Sequence, residues 1–162
     1  MRRIIWESML DADLNERYWT YLAERYHNKE KYAKIFLAIM TSGTVASWGF
    51  WSQMQILWKI LSSLSALLAI ALPIVNWPRM VEAMIDLKQK WYQIKADYEM
   101  LWIEVRDGIS DEEKVKRELR RLKNKEAQIS QKEAKLPNDK KLIRRCWEEV
   151  IASRGLKNEH MS

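Results

Sequence analysis

The chain has 162 residues and a formal net charge of +6, with 28 Lys and Arg residues against 22 Asp and Glu residues. Its single cysteine, Cys146, excludes an intramolecular disulfide and fits a reducing compartment. The mean hydropathy of -0.44 is typical of a soluble protein. The uncharged apolar residues are nevertheless concentrated in one block, and that block decides the class of protein.

The first predicted element is an amphipathic helix over residues 3–28, within an N-terminal cytoplasmic segment 1–33. His27 is predicted to end this helix, as a partner of its C-terminal dipole or as an interface residue. Acidic residues accompany the arginines of the helix, which favours packing against another helix over electrostatic binding to a lipid surface. The apolar side chains recur at steps of three and four residues, at Trp6, Leu10, Leu14, Tyr18, Tyr21 and Leu22.

Two transmembrane helices are predicted within residues 34–78. No charged residue occurs from Ile35 to Trp58 or from Ile60 to Pro78, and Lys59 stands alone between these stretches. A bilayer core of about 30 Å needs roughly 20 apolar helical residues, so the block is long enough for two crossings. We predict a hairpin with spans at about 34–51 and 56–77 and a turn between them. The alternative is a buried helical hairpin of a soluble protein, which would normally show a polar face.

Aromatic and basic residues orient the predicted hairpin. Tyr32 and Trp51 are 19 residues apart, as are Trp58 and Trp77, and this spacing corresponds to about 28 Å of helix. Trp and Tyr collect at membrane interfaces, so the four are predicted interface aromatics. Lys and Arg are frequent before the first span and after the second, whereas the connecting region has only Lys59. Both termini are therefore expected in the cytoplasm.

Small and hydroxylated residues form a candidate site within the predicted spans. Small residues four positions apart let helix backbones approach closely. One interpretation is packing of the two helices of a single hairpin, and another is an oligomeric ring lined by weakly polar groups. The residues predicted for helix packing or pore lining are Thr41, Gly43, Thr44, Ser47, Ser62 and Ala66.

A C-terminal cytoplasmic region, residues 79–162, is predicted to begin with a long helix. Pro78 suits the first turn of a helix, and Asp107-Gly108 is predicted to close it. The apolar residues follow a coiled-coil heptad pattern, which predicts a partner helix, and the nearest candidate is the helix at 3–28. The pattern comprises Met80, Met84, Leu87, Trp91, Ile94, Tyr98 and Leu101.

The next predicted helix is strongly basic. Ser110-Asp111-Glu112-Glu113 predicts a capping box at its start, and the helix is expected to reach about Lys135. Seven cations lie between residues 114 and 125, where Glu118 is the single acid. Phosphates of a nucleic acid or of anionic lipids are candidate partners, and a solvated helix face is the alternative. The candidate phosphate-binding or partner-binding residues are Lys116, Arg117, Arg120, Arg121 and Lys123.

Leu136-Pro137-Asn138-Asp139 interrupts the chain and predicts the start of a last helix, which Gly155 ends. One apolar stripe indicates that this helix docks on another element. The stripe comprises Leu142, Ile143, Cys146, Trp147, Val150 and Ile151.

No residue pattern predicts catalysis. His27 and His160 are the only histidines, there is no glycine-rich phosphate loop, and no pair of carboxylates lies in an apolar setting. Cys146 lies on an apolar stripe, where we expect a small core residue. We expect no enzyme, no cofactor and no metal. The predicted fold class is an all-α membrane protein, a two-transmembrane helical hairpin with long amphipathic cytoplasmic helices.

The order of these parts resembles bacterial two-transmembrane effectors of the SLATT type and those carried by some retrons. The likeness rests on the helix ending in Arg25-Tyr26-His27, the hairpin, the heptad-bearing helix and a final Leu-Pro-Asn-Asp-x-x-Leu-x-x-x-Cys-x-x-Glu-Val helix. It implies a toxin effector of antiviral defence that oligomerises and forms a pore in the bacterial inner membrane when a cytosolic sensor detects phage. No fused sensor or nucleotide-binding domain is recognisable, so the trigger is expected from another chain.

The alternative function is a non-lytic membrane anchor or scaffold. Such a protein would tether a protein complex, or a nucleic acid such as the RNA–DNA of a retron, through its basic cytoplasmic helices. Both functions require the lipid bilayer as a partner, and the effector function also requires a homo-oligomer and a cytosolic sensor protein.

Overall fold

The computed structural model describes residues 1–42 and 55–156, and within these ranges the chain forms five helices and no strand. The prediction of an all-helical protein is confirmed. The end of the first predicted span and most of the predicted turn fall on residues 43–54, outside the described residues. The helices are α1 (Arg2–Thr41), α2 (Gln55–Val75), α3 (Trp77–Arg106), α4 (Glu112–Glu133) and α5 (Lys140–Ser153).

The chain divides into two compact units. The bundle unit comprises Met1–Leu22 and Ala83–Ser162, and the apolar unit comprises Ala23–Glu82. The first part of α1, most of α3, α4 and α5 therefore belong to the bundle unit. The rest of α1, all of α2 and the first turns of α3 belong to the apolar unit.

Helix α1 continues from Arg2 to Thr41, so the prediction that it ends at His27 is wrong. Neither Gly nor Pro occurs in this range, and the residues after Asn28 include Lys, Glu, Ala and Leu, which favour helix. A basic residue near a helix end stabilises the dipole but does not interrupt the backbone hydrogen bonds. Without a residue that breaks those bonds, the helix continues.

In the bundle unit, α1 and α3 lie antiparallel. The Trp6 and Trp102 ring centroids are 5.2 Å apart, and Lys95 Nζ lies 3.2 Å from Asp13 Oδ1, so contacts move down α3 as they move up α1. The heptad stripe of α3 is largely buried among the helices of this unit, as the sequence predicted for a helix with a packing partner. Its buried members in the bundle unit are Met84, Leu87, Trp91, Ile94, Tyr98 and Leu101.

The buried face of α1 is wider than the predicted stripe, because α1 contacts α3, α4 and α5. Leu10, Tyr18 and Leu22 are buried as expected. Trp6, Leu14 and Tyr21 are only half-buried. The additional buried apolar residues of α1 within the bundle unit are Ile5, Met9, Ala12 and Trp19.

Helix α4 contributes Val115, Leu122 and Ile129 to the core, and α5 contributes Cys146 and Val150. Trp147 does not belong to the buried stripe, since 37% of it is exposed. A residue directly after a buried one lies about 100° around the helix, and here that direction faces solvent.

Three predicted helix ends are confirmed by their hydrogen bonds. Gly108 and Gly155 adopt φ values of +70° and +65°, which favour glycine. Beyond Gly108, the Ile109 N–H donates to the Glu104 carbonyl at 3.0 Å, the long bond of a Schellman motif. Asp139 caps α5 by accepting from the amides of Lys141 and Leu142 at 3.0 and 3.1 Å.

The predicted capping box of α4 is wrong. The Ser110 hydroxyl donates to the Glu104 carboxylate, which also holds Lys114 at 3.0 Å. The N-cap is Asp111, and its side chain makes no capping hydrogen bond. A carboxylate on the preceding helix is a stronger acceptor for the hydroxyl than the local pattern could reveal.

In the apolar unit, Asn76 separates α2 from α3 with a φ of +49°, and Pro78 lies in the first turn of α3, as predicted. A cavity of about 250 Å³ is lined by α1 residues Glu30 and Lys34 and by Leu72, so α1 lies beside the end of α2. Within the described residues, no single helix meets the length and hydropathy required of a membrane span. Lys59–Leu72 and Trp77–Arg106 meet those requirements only together, as a pair bent by 54°.

Candidate functional site

The most unusual surface of the described chain is apolar and lies on α2. Among the side chains of α2 that the structure describes, Leu61, Ser65, Leu68, Ala71 and Leu72 are half-buried, and all but Ala71 recur at steps of four, three and four residues. The other described side chains of the helix are exposed, and 76% of Ile56 and 75% of Ile74 are uncovered. We call the exposed large residues of this helix the α2 apolar surface: Ile56, Leu57, Ile60, Leu64, Leu67, Ile70 and Ile74.

The size of this surface decides which surroundings suit it. Covering an exposed Leu or Ile completely is worth about 1.5–3 kcal/mol. The α2 apolar surface as a whole therefore represents on the order of 10 kcal/mol. Soluble monomers rarely expose contiguous apolar patches larger than a few hundred Å². Covering this surface requires apolar surroundings, and the described residues of the chain do not supply them.

Two predicted packing residues flank this surface. Ser62 and Ala66 are exposed and lie one turn apart, so the helix backbone between them is accessible. The Thr41 hydroxyl donates to the Leu37 carbonyl of its own helix at 2.8 Å, which satisfies it without a partner helix. Gly43, Thr44 and Ser47 lie outside the described residues.

The structure describes the side chains of two of the four predicted interface aromatics. Tyr32 is 68% exposed on α1, and Trp77 is half-buried at the start of α3. Trp51 and the side chain of Trp58 are outside the description. Their assignment to membrane interfaces stays a prediction.

The basic face of α4 is more balanced than the sequence suggested. Lys116 pairs with Glu112 at 3.0 Å and with Glu113 at 3.1 Å, both of which precede the cation-rich stretch. Arg121 pairs with Glu118 at 2.8 Å. Acids of the same helix therefore pair with Lys116 and Arg121, which the count of charges between residues 114 and 125 did not indicate.

Acids of a neighbouring helix and of the same helix hold other cations of α4. Lys125 Nζ lies 2.9 Å from an Asp97 oxygen on α3, and Lys123 pairs with Glu126 at 2.7 Å. Arg120 and Arg117 are exposed, and neither has an ion-pair partner within the described ranges. Exposed ion pairs contribute only about 0–1 kcal/mol, so a phosphate could still compete for the paired cations.

Three cations surround one buried carboxylate in the bundle unit. Asp13 is 1% exposed, and Arg17, Lys95 and Arg154 approach it at 3.0, 3.2 and 3.3 Å. Lys95 also pairs with Glu16, and Arg154 with Glu99. We call these six residues the Asp13 network. It ties α1 to α3 and to the residue that follows α5.

The Asp13 network holds its central carboxylate charged. Burial by itself would raise the pKa of Asp13, but hydrogen bonds and positive charge from Arg17 and Lys95 outweigh burial and lower the pKa. Burial would likewise lower the pKa of Lys95, whereas its bonds to Glu16 and Asp13 raise it. The two groups therefore stabilise each other in their charged forms.

A second polar contact joins three helices. Glu133 Oε1 accepts the indole N–H of Trp19 at 2.8 Å and that of Trp91 at 2.6 Å. We call this contact the Glu133 clasp. Trp91 was predicted as a heptad residue, but nothing local pointed to Trp19 or Glu133. Two indoles 72 positions apart on different helices meet only in the folded chain.

Cys146 is 0% exposed on α5, in the core position that its apolar stripe predicted. Burial raises the pKa of its thiol to about 11. The thiolate is the reactive form of cysteine, so the folded bundle unit should resist thiol reagents at neutral pH.

Among the described residues, no group of three or more His, Cys, Asp or Glu side chains is arranged to hold a metal ion. Comparison with protein-family models, with curated proteins and with solved structures finds no match for the chain. The candidate sites are therefore argued from the chain's own residues alone.

Proposed function

We propose that the chain is a membrane-embedded effector of a bacterial antiphage defence system, which assembles into homo-oligomers and permeabilises the inner membrane when a cytosolic partner triggers it. The observation that carries this proposal is the α2 apolar surface. In a bilayer this surface meets lipid or a second copy of the chain instead of water.

The helical content supports the membrane part of the proposal. A helix satisfies its backbone hydrogen bonds internally, as the bilayer core requires. The Thr41 and Ser63 hydroxyls bond carbonyls of their own helices at 2.8 Å, so they add little cost in an apolar medium. The proposed topology places both termini in the cytoplasm.

Oligomerisation is supported by the exposed pair Ser62 and Ala66. Helices associate in lipid through small residues that allow close backbone contact, since apolar burial gives no net gain there. The proposed effector role itself comes from the order of helices and the C-terminal motif described above. In that role the bundle unit receives the signal of the cytosolic sensor.

Growth and membrane potential test the effector function. The chain is overproduced without its genomic neighbours, and growth and a potential-sensitive dye are followed. We expect growth arrest with loss of potential. Unchanged growth and potential at confirmed expression would contradict the proposal.

A variant with altered helix packing sharpens this test. Ser62→Leu adds bulk where close approach is proposed and should abolish toxicity without reducing membrane insertion. Ser63→Leu, which adds the same side chain on another exposed part of α2, is the matched control and should stay toxic. Equal toxicity of all three proteins would remove the packing argument.

Topology is tested with single cysteines at Gln53 and Lys123 in a Cys146→Ala background. An impermeant maleimide applied to intact cells should label Gln53→Cys and not Lys123→Cys until the membrane is opened. The reverse pattern would overturn the proposed orientation.

A second function, the non-lytic anchor for a nucleic-acid complex, is favoured by Arg117 and Arg120, the exposed cations of α4 without an acid partner among the described residues. Arg117→Glu combined with Arg120→Glu should then release bound nucleic acid while the protein stays in the membrane. Binding by the wild type should weaken steeply with salt, because each phosphate contact releases counterions. Absence of nucleic acid in a low-salt pull-down would exclude this function.

A further inference from the structure

A groove between α3 and α4 in the bundle unit gathers three lysines. It has a volume of about 190 Å³. Ile94 and Ile129, both buried, form its floor. The polar residues that line it are Lys90, Gln93, Lys125, Gln128 and Lys132.

The sequence spacing explains this convergence. Lys125, Gln128 and Lys132 lie three and four positions apart on α4, so they share one face of that helix. Lys90 and Gln93 share a face of α3 in the same way. Because α3 and α4 run antiparallel, with Lys125 against Asp97 and Lys132 against Asp86, the two faces oppose each other along the groove.

The groove carries more positive than negative charge. Asp86 pairs with Lys90 and lies 3.9 Å from Lys132, while Asp97 holds Lys125 at 2.9 Å, so two carboxylates serve three ammonium groups. All of these side chains are partly exposed, and such pairs exchange partners at little cost.

Two of the ammonium groups are brought together against their mutual repulsion. Lys90 and Lys132 both lie against the same oxygen of Asp86, Lys132 at 3.9 Å, and the proximity and charge of Lys90 lower the pKa of Lys132. A nearby cation disfavours the charged form of a lysine, and an anion placed between the two would remove that penalty.

Gln93 and Gln128 add neutral donors between the charged ends of the groove. Both are exposed, and neither carboxamide has a hydrogen-bond partner among the described residues. Each side-chain NH₂ can donate two hydrogen bonds. The groove thus offers N–H donors along its whole length.

We propose that this groove binds a small molecule that carries at least two phosphate groups in a chain. Lys125 and Lys132 are seven residues apart, which is about 10 Å along the helix, so one phosphate cannot reach both. The three lysines of the groove can each bind a phosphate as a point charge that donates up to three hydrogen bonds. The site is separate from Arg117 and Arg120 and does not depend on membrane permeabilisation.

Calorimetric titration of the detergent-solubilised full chain with sodium tripolyphosphate tests the site. We expect saturable binding that is at least tenfold tighter than that of inorganic phosphate at equal ionic strength. Lys90→Ala combined with Lys132→Ala should weaken tripolyphosphate binding by tenfold or more. Lys140→Ala combined with Lys141→Ala removes equal charge from exposed positions on α5 and should change binding by less than about twofold.

A charge-preserving pair guards against misfolding. Lys90→Arg combined with Lys132→Arg should retain binding within a few-fold of the wild type, and unreactive Cys146 should report an intact bundle unit in every variant. No saturable binding by the wild type, or equal losses in the groove pair and the α5 pair, would overturn the proposal.

The phosphate source is identified in vesicles. The chain is reconstituted in phosphatidylcholine with and without cardiolipin, whose headgroup carries two phosphates. Competition by cardiolipin that requires Lys90 and Lys132 identifies a lipid headgroup as the ligand. Undiminished tripolyphosphate binding beside cardiolipin identifies a free oligophosphate.

Discussion

Replacing Asp13 by Asn should destabilise the bundle unit strongly. The substitution keeps the shape of the side chain but removes the charge that Arg17, Lys95 and Arg154 share. Three cations then remain with Glu16 and Glu99 as their only partners in the network. Cations left without a buried partner lose the interaction that offset their desolvation.

The magnitude follows from burial. Removing one member of a fully buried ion pair costs about 3–5 kcal/mol. Here the carboxylate is buried, but the cations are 19–31% exposed and two of them keep another acid, so we expect about 2–3 kcal/mol. For a unit of roughly 100 residues this corresponds to a fall in melting temperature of roughly 10–20 °C.

Cys146 provides the assay. A thiol-reactive fluorophore labels it only when the bundle unit opens, so the labelling midpoint during heating reports this unit and not the apolar one. Glu7→Gln is the control on the same helix. Glu7 forms an exposed ion pair with Arg3, and such a pair contributes only about 0–1 kcal/mol, so this substitution should shift the midpoint little. If Asp13→Asn and Glu7→Gln gave equal midpoints, the role assigned to the Asp13 network would be refuted.

Three other outcomes follow from the polar contacts of the bundle unit. Folding lowers the pKa of Asp13, so the stability that its charge contributes is present above its unfolded pKa of about 3.9 and is lost as pH falls through the folded value. The difference in free energy of unfolding between wild type and Asp13→Asn should therefore be constant from about pH 8 to 5 and shrink below about pH 4. Unfolding followed by tryptophan fluorescence measures this difference. Glu133→Ala should lower the free energy of unfolding of the bundle unit by about 1–3 kcal/mol, and with it the Cys146 labelling midpoint, because two buried indoles lose their acceptor. Glu133→Gln should lower both less. Burial raises the pKa of Asp11, so its charge opposes folding, and Asp11→Asn should raise the midpoint slightly at pH 7; a lowered midpoint would contradict that sign.

Local sequence signals accounted for much of this fold. The heptad of α3, Gly108, Gly155 and the Asp139 cap were predictable because each depends on residues within a turn or two of helix. The continuation of α1 past His27 was missed because a favourable dipole partner was taken as a stop signal. A helix with no Gly or Pro and good helix formers beyond that point had no reason to end.

The candidate sites were less predictable because they depend on distant residues. Asp13 meets Lys95 and Arg154, 82 and 141 positions away, and no pattern of one helix contains that information. Likewise, the pairing of Lys125 could not be predicted because its partner, Asp97, lies on another helix. Trp147 was misplaced because hydrophobicity alone does not distinguish a buried side chain from its neighbour 100° around the helix.

Substituting a lysine into the α2 apolar surface distinguishes the hypothesis of a membrane span from that of a soluble hairpin. Leu67 is 65% exposed, so in water Leu67→Lys is an ordinary surface substitution and should change stability by no more than about 0.5 kcal/mol. At the centre of a bilayer the same charge costs about 2.5–3.5 kcal/mol more than an apolar residue. Lys59 lies one turn from the start of α2, where its long side chain can extend to the interface, so Lys59→Leu should be tolerated in either medium.

We therefore expect Leu67→Lys to reduce the fraction of protein that stays with the membrane after alkaline carbonate extraction, while Lys59→Leu leaves it unchanged. If Leu67→Lys were extracted no more readily than the wild type, or increased the yield of soluble protein that still folds by Cys146 labelling, α2 would not cross a bilayer, and the effector function proposed for it would fall with that result.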